Sequence, residues 1–312
     1  EGVMMDFAYL SLVAVYSAMA VYTVAFFAFS WDLAKRSAAK PVPVMAGGDS
    51  GGGREAEAPA APSTWSPFQR IGLTLLVLGW IIHLLATIGR GIAGNRVPWA
   101  NMFEFGLTST MLIVAVFLGT LFWKDLGYLG AYITGFVLLA LGVVTVNFYV
   151  DVTPLPPALQ SAWLVIHVFV ASLATAFFAL GAALSALQLV RARYEARQMA
   201  KARIMKTLPS SSVMESLAYR LNVVGFVMWS FTLIAGAIWA ERAWGRYWGW
   251  DVKEVWTFII WVLFAGYIHA RATRGWRGSR AAWLAIIGFA AVLFNYTVVN
   301  IAFTGLHSYS GL

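Results

Sequence analysis

The chain contains no cysteine. That absence excludes disulfides, iron–sulfur clusters, thiolate zinc sites and any thiol relay of its own. Charge is scarce too: 12% of the 312 residues are charged, against about 25% in a soluble globular domain. Histidine is limited to four residues, so each can be weighed singly. Apolar residues fill the gap, with 60% hydrophobic and a mean hydropathy of +0.73. These values exclude a soluble enzyme and a disordered chain, and they identify a polytopic membrane protein. Tryptophan is unusually abundant, at fifteen residues. The formal net charge is +8. In a soluble protein that balance would suggest nucleic acid; here it belongs to cytoplasmic loops, and no nucleic-acid partner is expected.

Hydropathy divides the chain into eight apolar runs, predicting an all-α membrane bundle of about eight transmembrane helices. The first run, about 7–29, is too long and Tyr-rich for a signal peptide and reads as a retained span (1–29). Residues 30–67 carry Lys35, Arg36, Lys40, Pro41 and Pro43, then a Gly/Ala/Glu/Pro tract that cannot build a core. They read as a flexible cytoplasmic linker. The other runs lie at about 70–89, 103–123, 127–149, 160–190, 218–240, 255–272 and 281–305, within a seven-helix domain over 68–312. The 160–190 run is long enough to extend beyond the hydrocarbon.

Charge sets the orientation. Arg191, Arg193, Arg197, Lys201, Arg203 and Lys206 separate spans five and six, and Arg274, Arg277 and Arg280 lie between spans seven and eight, with Arg271 just before them. Both segments belong on the cytoplasmic side, which puts both termini outside. The 150–159 loop, without Lys or Arg, suits an outside position. Arg90, Arg96, Arg242, Arg246 and Lys253 then fall outside against the trend and need a reason.

The most informative segment is the outer loop 240–256, AERAWGRYWGWDVKEVW. It gathers Trp244, Tyr247, Trp248, Trp250 and Trp256 with Arg246, Asp251, Lys253 and Glu254. One reading is an interfacial aromatic belt at headgroup depth. The other is a platform for a flat, partly anionic ligand, with rings stacking on a macrocycle and cations pairing its carboxylates. His167 and His307 share this outer face. A lone interfacial His is most often a hydrogen-bonding residue, but two neutral imidazoles beside an aromatic platform can bind opposite faces of a haem iron. His269 lies fourteen residues beyond Val255, about 21 Å below the outer surface. It reads as a ligand or relay, or as a His bonded to a neighbouring helix. His83, about 9 Å deep by the same rise, reads as a satisfied core residue. In RGIAGNRVPWANMFEF, Asn101 and Glu104 form a potential capping box, while Arg90 and Arg96 could instead face an anionic ligand.

These segments carry a resemblance. WGRYWGWDVKE (Trp244–Glu254), WTFIIWVLFAGYIHAR with His269, LPPALQSAWLVIH ending at His167, PWANMFEF and LHSYSG with His307 resemble the CcsA/ResC haem-handling family of system II cytochrome c biogenesis, some of whose bacterial members are named CcsB. The likeness spans about 70–312. It implies a haem b ligand held on a "WWD" platform of Trp244, Arg246, Tyr247, Trp248, Trp250, Asp251 and Lys253. His167 and His307 would be the outer axial ligands of the iron, and His269 one ligand of a transmembrane haem whose second ligand comes from a ResB/CcsB-type partner. It further implies a bacterial cytoplasmic membrane location with the haem site outside. The client would be apocytochrome c with its Cys-x-x-Cys-His thiols, a thioredoxin-like reductant would act indirectly, and the chain would be the haem-binding subunit of a holocytochrome c synthase. Val252 stands where the family pattern has Pro, which predicts a looser backbone before Lys253.

Two rival classes remain. A b-type haem electron-transfer protein would pair His on two helices at two depths. A solute transporter would place charge or a broken helix near the midplane, and no acid lies in the middle of spans two to eight.

Overall fold

The computed structural model describes residues 2–38, 65–153, 160–197, 207–273 and 275–307. Regular structure among them is entirely helical: α1 (Gly2–Ala38), α2 (Pro67–Gly94), α3 (Met102–Leu121), α4 (Gly130–Asn147), α5 (Ala162–Arg197), α6 (Ser211–Trp244), α7 (Val252–Thr273), α8 (Ser279–Tyr296) and α9 (Val298–Ala302). Eight stretches are long and apolar enough to cross a membrane, α8 and α9 counting together. The protein is thus a multi-pass membrane bundle. Most of the 30–67 tract, the 154–159 stretch, Lys201, Arg203, Lys206, Arg274 and the residues after His307 lie outside the described residues.

Helix ends follow local chemistry rather than hydropathy. α1 continues through residues 30–38, the expected start of the linker, because Lys35 and Arg36 extend a helix well and suit its last turn. Ser66 caps α2, its Oγ accepting from Gln69 N at 3.1 Å, with Pro67 at the first helical position. α2 ends where Asn95 turns left-handed at φ 48°. α5 has 36 residues, or about 54 Å of helix, more than a bilayer core needs. The expected run at 281–305 is broken: α8 stops at Tyr296 and α9 resumes at Val298. Lys253 Nζ donates to the Asn295 carbonyl at 2.9 Å, placing a foreign donor where the helical ladder would continue.

α3 forms the centre and α7 the rim: 72% of the apolar window of α3 is buried, but only 17% of that of α7. α1 packs on α2 and α4, α5 packs on α6, α8 and α3, and α7 lies between α6 and α8. Small residues Gly72, Gly79 and Ala86, spaced by seven along α2, let α1 approach, and Ser11 Oγ donates to Ala86 O at 2.7 Å. Buried hydroxyls such as Thr110, Thr145, Thr175 and Thr232 donate to carbonyls in their own helices, so no polar group is stranded in the apolar interior on their account.

Candidate functional site

α2, α4, α6 and α8 end, and α3, α5 and α7 begin, at one end of the bundle. A cavity of about 250 Å³ lies there, walled mainly by α3, α5, α6 and α8. It reaches down to Ile113, Phe136 and Thr175, and its mouth is framed by Trp99, Tyr247 and Trp248. His167 and His307 both line it.

His167 projects from the first turns of α5. Its Nδ1 is 3.0 Å from the Thr232 carbonyl on α6. A carbonyl only accepts, so Nδ1 carries the proton and Nε2 keeps its lone pair for a ligand. Gly236, one turn further along α6, makes room for the ring: a Cβ there would lie 2.8 Å from His167 Cε1. Trp239, the next turn on, stacks near-parallel to His167, with centroids 5.9 Å apart at 15°. His307 meets the same indole edge-on at 5.5 Å and Trp244 at 4.7 Å. One buried tryptophan therefore touches both histidines.

The loop before α7 is held by reciprocal capping. Asp251 Oδ1 accepts from Lys253 N at 2.9 Å, and Glu254 Oε2 accepts from Asp251 N at 3.1 Å and Gly249 N at 2.8 Å. This fixes the start of α7 at Val252 without a proline, contrary to the expected looseness. Asp251 Oδ2 also accepts from Leu306 N at 2.8 Å, and Oδ1 lies 3.5 Å from His307 Nδ1, within ion-pair reach but longer than a hydrogen bond. The contact with His307, together with the backbone donors of Lys253 and Leu306, holds the Asp251 carboxyl well below the usual carboxylate range.

The platform residues divide by position. Tyr247, Trp248 and Lys253 line the cavity with the two histidines. Trp244 packs on His307 and Trp239. Trp250, at φ 60° and 74% exposed, turns outward and meets Trp248 at 5.8 Å. The Arg246 guanidinium fills the space beside Gly249, and Asp251 faces the C-terminal segment. His269 is exposed on the outer face of α7 with Phe258, Val262 and Gly266, apart from this cavity. His83 is fully buried, donating from Nε2 to Leu107 O at 3.0 Å and accepting from Tyr22 OH at 3.3 Å. That matches the satisfied core residue expected.

The cations at this end of the bundle acquire reasons. Arg90 Nε donates to Glu104 Oε1 at 3.0 Å, and Arg96 grips both Glu104 oxygens at 2.5 and 3.0 Å. Glu104 also accepts from Ala100 N, and Asn101 Oδ1 accepts from Glu104 N. The capping reading therefore holds, and these arginines face a carboxylate of the chain itself. Arg242 lies over the Trp163 ring at 5.9 Å. Lys253 Nζ donates to Asn295 O and to Asn300 Oδ1 at 2.8 Å. Trp239, Gly236, Asn295 and Asn300 were not legible beforehand, because each sits inside or at the end of an apolar run.

Over residues 75–307 the chain matches the family described as cytochrome C assembly protein. It is 35% identical to the cytochrome c biogenesis protein CcsA of Guillardia theta over 260 residues, covering 77% of this chain and 85% of that one. The CcsA of Trieres chinensis is 31% identical over 78% of this chain and 88% of its own length. That of Synechococcus sp. (strain CC9902) is 41% identical over 50% of this chain and 58% of its own. Among solved structures, the fold is similar to that of the cytochrome c heme lyase CcmF, with a TM-score of 0.63 at 16% identity over 93% of this chain and 46% of that one. By sequence, then, this multi-pass bundle belongs to the CcsA family of cytochrome c assembly proteins.

Proposed function

We propose that this protein acts in cytochrome c biogenesis by holding haem b between His167 and His307 and presenting it to apocytochrome c. The observation that carries this reading is the pair of histidines on one cavity, with His167 fixed by Thr232 in the tautomer that leaves Nε2 for iron. The cavity fits in its chemistry. Its walls are apolar and aromatic, and its charged side chains are few. Glu254 is tied to two backbone N–H groups of its own loop, which hold its carboxylate in place there. Among the described residues Lys253 Nζ donates to two neutral acceptors, Asn295 O and Asn300 Oδ1, which leaves a further N–H for a ligand carboxylate. At about 250 Å³ the cavity is smaller than the ~300–1,000 Å³ typical of engulfing pockets. A macrocycle would be held with one edge in the mouth at Trp248, within reach of a client.

The haem supplies two vinyl groups. Each client thiol adds across one of them, sulfur bonding to one carbon and hydrogen to the other, so that no oxidant is needed. This chain would contribute position: the two histidines would hold the ring, Trp239 would brace both imidazoles, and Lys253 would pair a carboxylate of the ring. Holding vinyl and thiol together replaces a bimolecular encounter. The thiols belong to the client, since this chain has none. Exposed His269 suits a second, deeper haem shared with a ResB/CcsB-type membrane partner, and the cationic ends of α5, α7 and α8 suit the cytoplasmic side of a bacterial membrane. His167→Ala and His307→Ala are each expected to abolish cytochrome c maturation in cells lacking the native copy. Normal maturation in both variants defeats the proposal. Catalytic-rate reduction of bound haem by quinol would favour an electron-transfer cytochrome instead.

A further inference from the structure

We infer that Asp251 is the positioning residue for His307, backing its Nδ1–H with a carboxylate so that Nε2 is presented to the haem iron. This rests on the haem reading above. Asp251 joins the start of α7 to the C-terminal segment. Its Oδ1 accepts from Lys253 N at the start of α7, its Oδ2 accepts from Leu306 N, and Oδ1 lies 3.5 Å from His307 Nδ1. Its side chain is only 7% exposed. Gly305 completes the approach, since a Cβ there would stand 2.5 Å from Oδ2. Among the described residues His307 Nδ1 is buried without a hydrogen-bond partner, and the Asp251 carboxylate is the acceptor that faces it. The edges and faces of Trp239 and Trp244 leave the ring little freedom to turn elsewhere. α9 ends at Ala302, so His307 has no helix of its own to orient it. The carboxylate does that work from across the loop.

The two histidines are consequently unlike. His167 is backed by a neutral carbonyl and His307 by an anion. A cation bound at Nε2 would make Nδ1–H a better donor to the facing carboxylate, and that carboxylate would make His307 the stronger electron donor. Strong donation favours the ferric state.

Asp251→Asn isolates this role. Asn caps a helix as well as Asp does, so α7 keeps its start. Its single side-chain oxygen cannot accept from both Lys253 N and Leu306 N and also face His307 Nδ1, which the two carboxylate oxygens do together. Two measurements on the full chain with its membrane partner test the inference. In haem-free protein, amide exchange at Leu306 is expected to rise roughly tenfold, the scale of one lost hydrogen bond to a charged group. In haem-loaded protein, the reduction potential is expected to move positive while the haem stays bound. Wild-type exchange and wild-type potential in Asp251→Asn overturn the inference. If His307→Ala then still loses its bis-histidine spectrum, the haem reading survives that failure. A wild-type complex that purifies without haem overturns both.

Discussion

Trp239 shows what a linear reading passes over. It lies in the apolar run of α6 and looks like any other span tryptophan, yet its indole touches both His167 and His307. The histidines themselves were legible, because there are only four and two fall at the end of the bundle that carries the tryptophan-rich loop. Their support was not, because a ring's neighbours depend on how α5 and α6 are rotated against each other. Gly236 tests that support. Gly236→Ala brings a Cβ to 2.8 Å from His167 Cε1, and the ring must shift. Overpacking a filled site typically costs about 1–3 kcal/mol. The expected outcome is a bundle that folds but retains several-fold less haem, read from the absorbance ratio of haem to protein. Undiminished haem content would show that the ring's seat on α6 is immaterial.

At the level of elements, buried charge fixes two features that hydropathy did not reveal. Glu104 is fully buried and takes both Arg90 and Arg96. The sequence allowed these arginines to face a ligand, since spacing alone does not show which carboxylate is nearest in space. Glu104→Ala leaves two buried guanidiniums without their anion. It is expected to destabilise the protein by about 3–5 kcal/mol, measured as loss of helicity on heating in detergent. Full retention of thermal stability would contradict the pairing. The second feature is the break between α8 and α9, invisible in an unbroken apolar run. If the Lys253 ammonium maintains it by occupying the Asn295 carbonyl, Lys253→Met frees that oxygen for Val299 N–H. Amide exchange at Val299 should then slow, and unchanged exchange would assign the break to another cause.

Across the whole molecule, eight spans and their alternation were legible because lipid demands long apolar helices whatever their packing. Helix lengths were less so: α5 and α6 extend past the apolar runs through charged, helix-favouring residues that hydropathy scores as loop. Orientation rests on the positive ends of the bundle. The lack of cysteine makes it testable, since a single introduced thiol reports alone. Asp151→Cys is expected to react with a membrane-impermeant maleimide in intact cells, and Asp125→Cys only after permeabilisation. The reverse pattern would invert the proposed topology and put the cavity inside. The central claim is that one cavity holds haem between two named histidines. The absorption spectrum of the purified complex with its membrane partner tests it most directly. The account predicts a haem Soret band with low-spin, bis-histidine features that lose their outer component in both His167→Ala and His307→Ala. A colourless yet maturation-competent complex, or an unaltered spectrum in both variants, would contradict it.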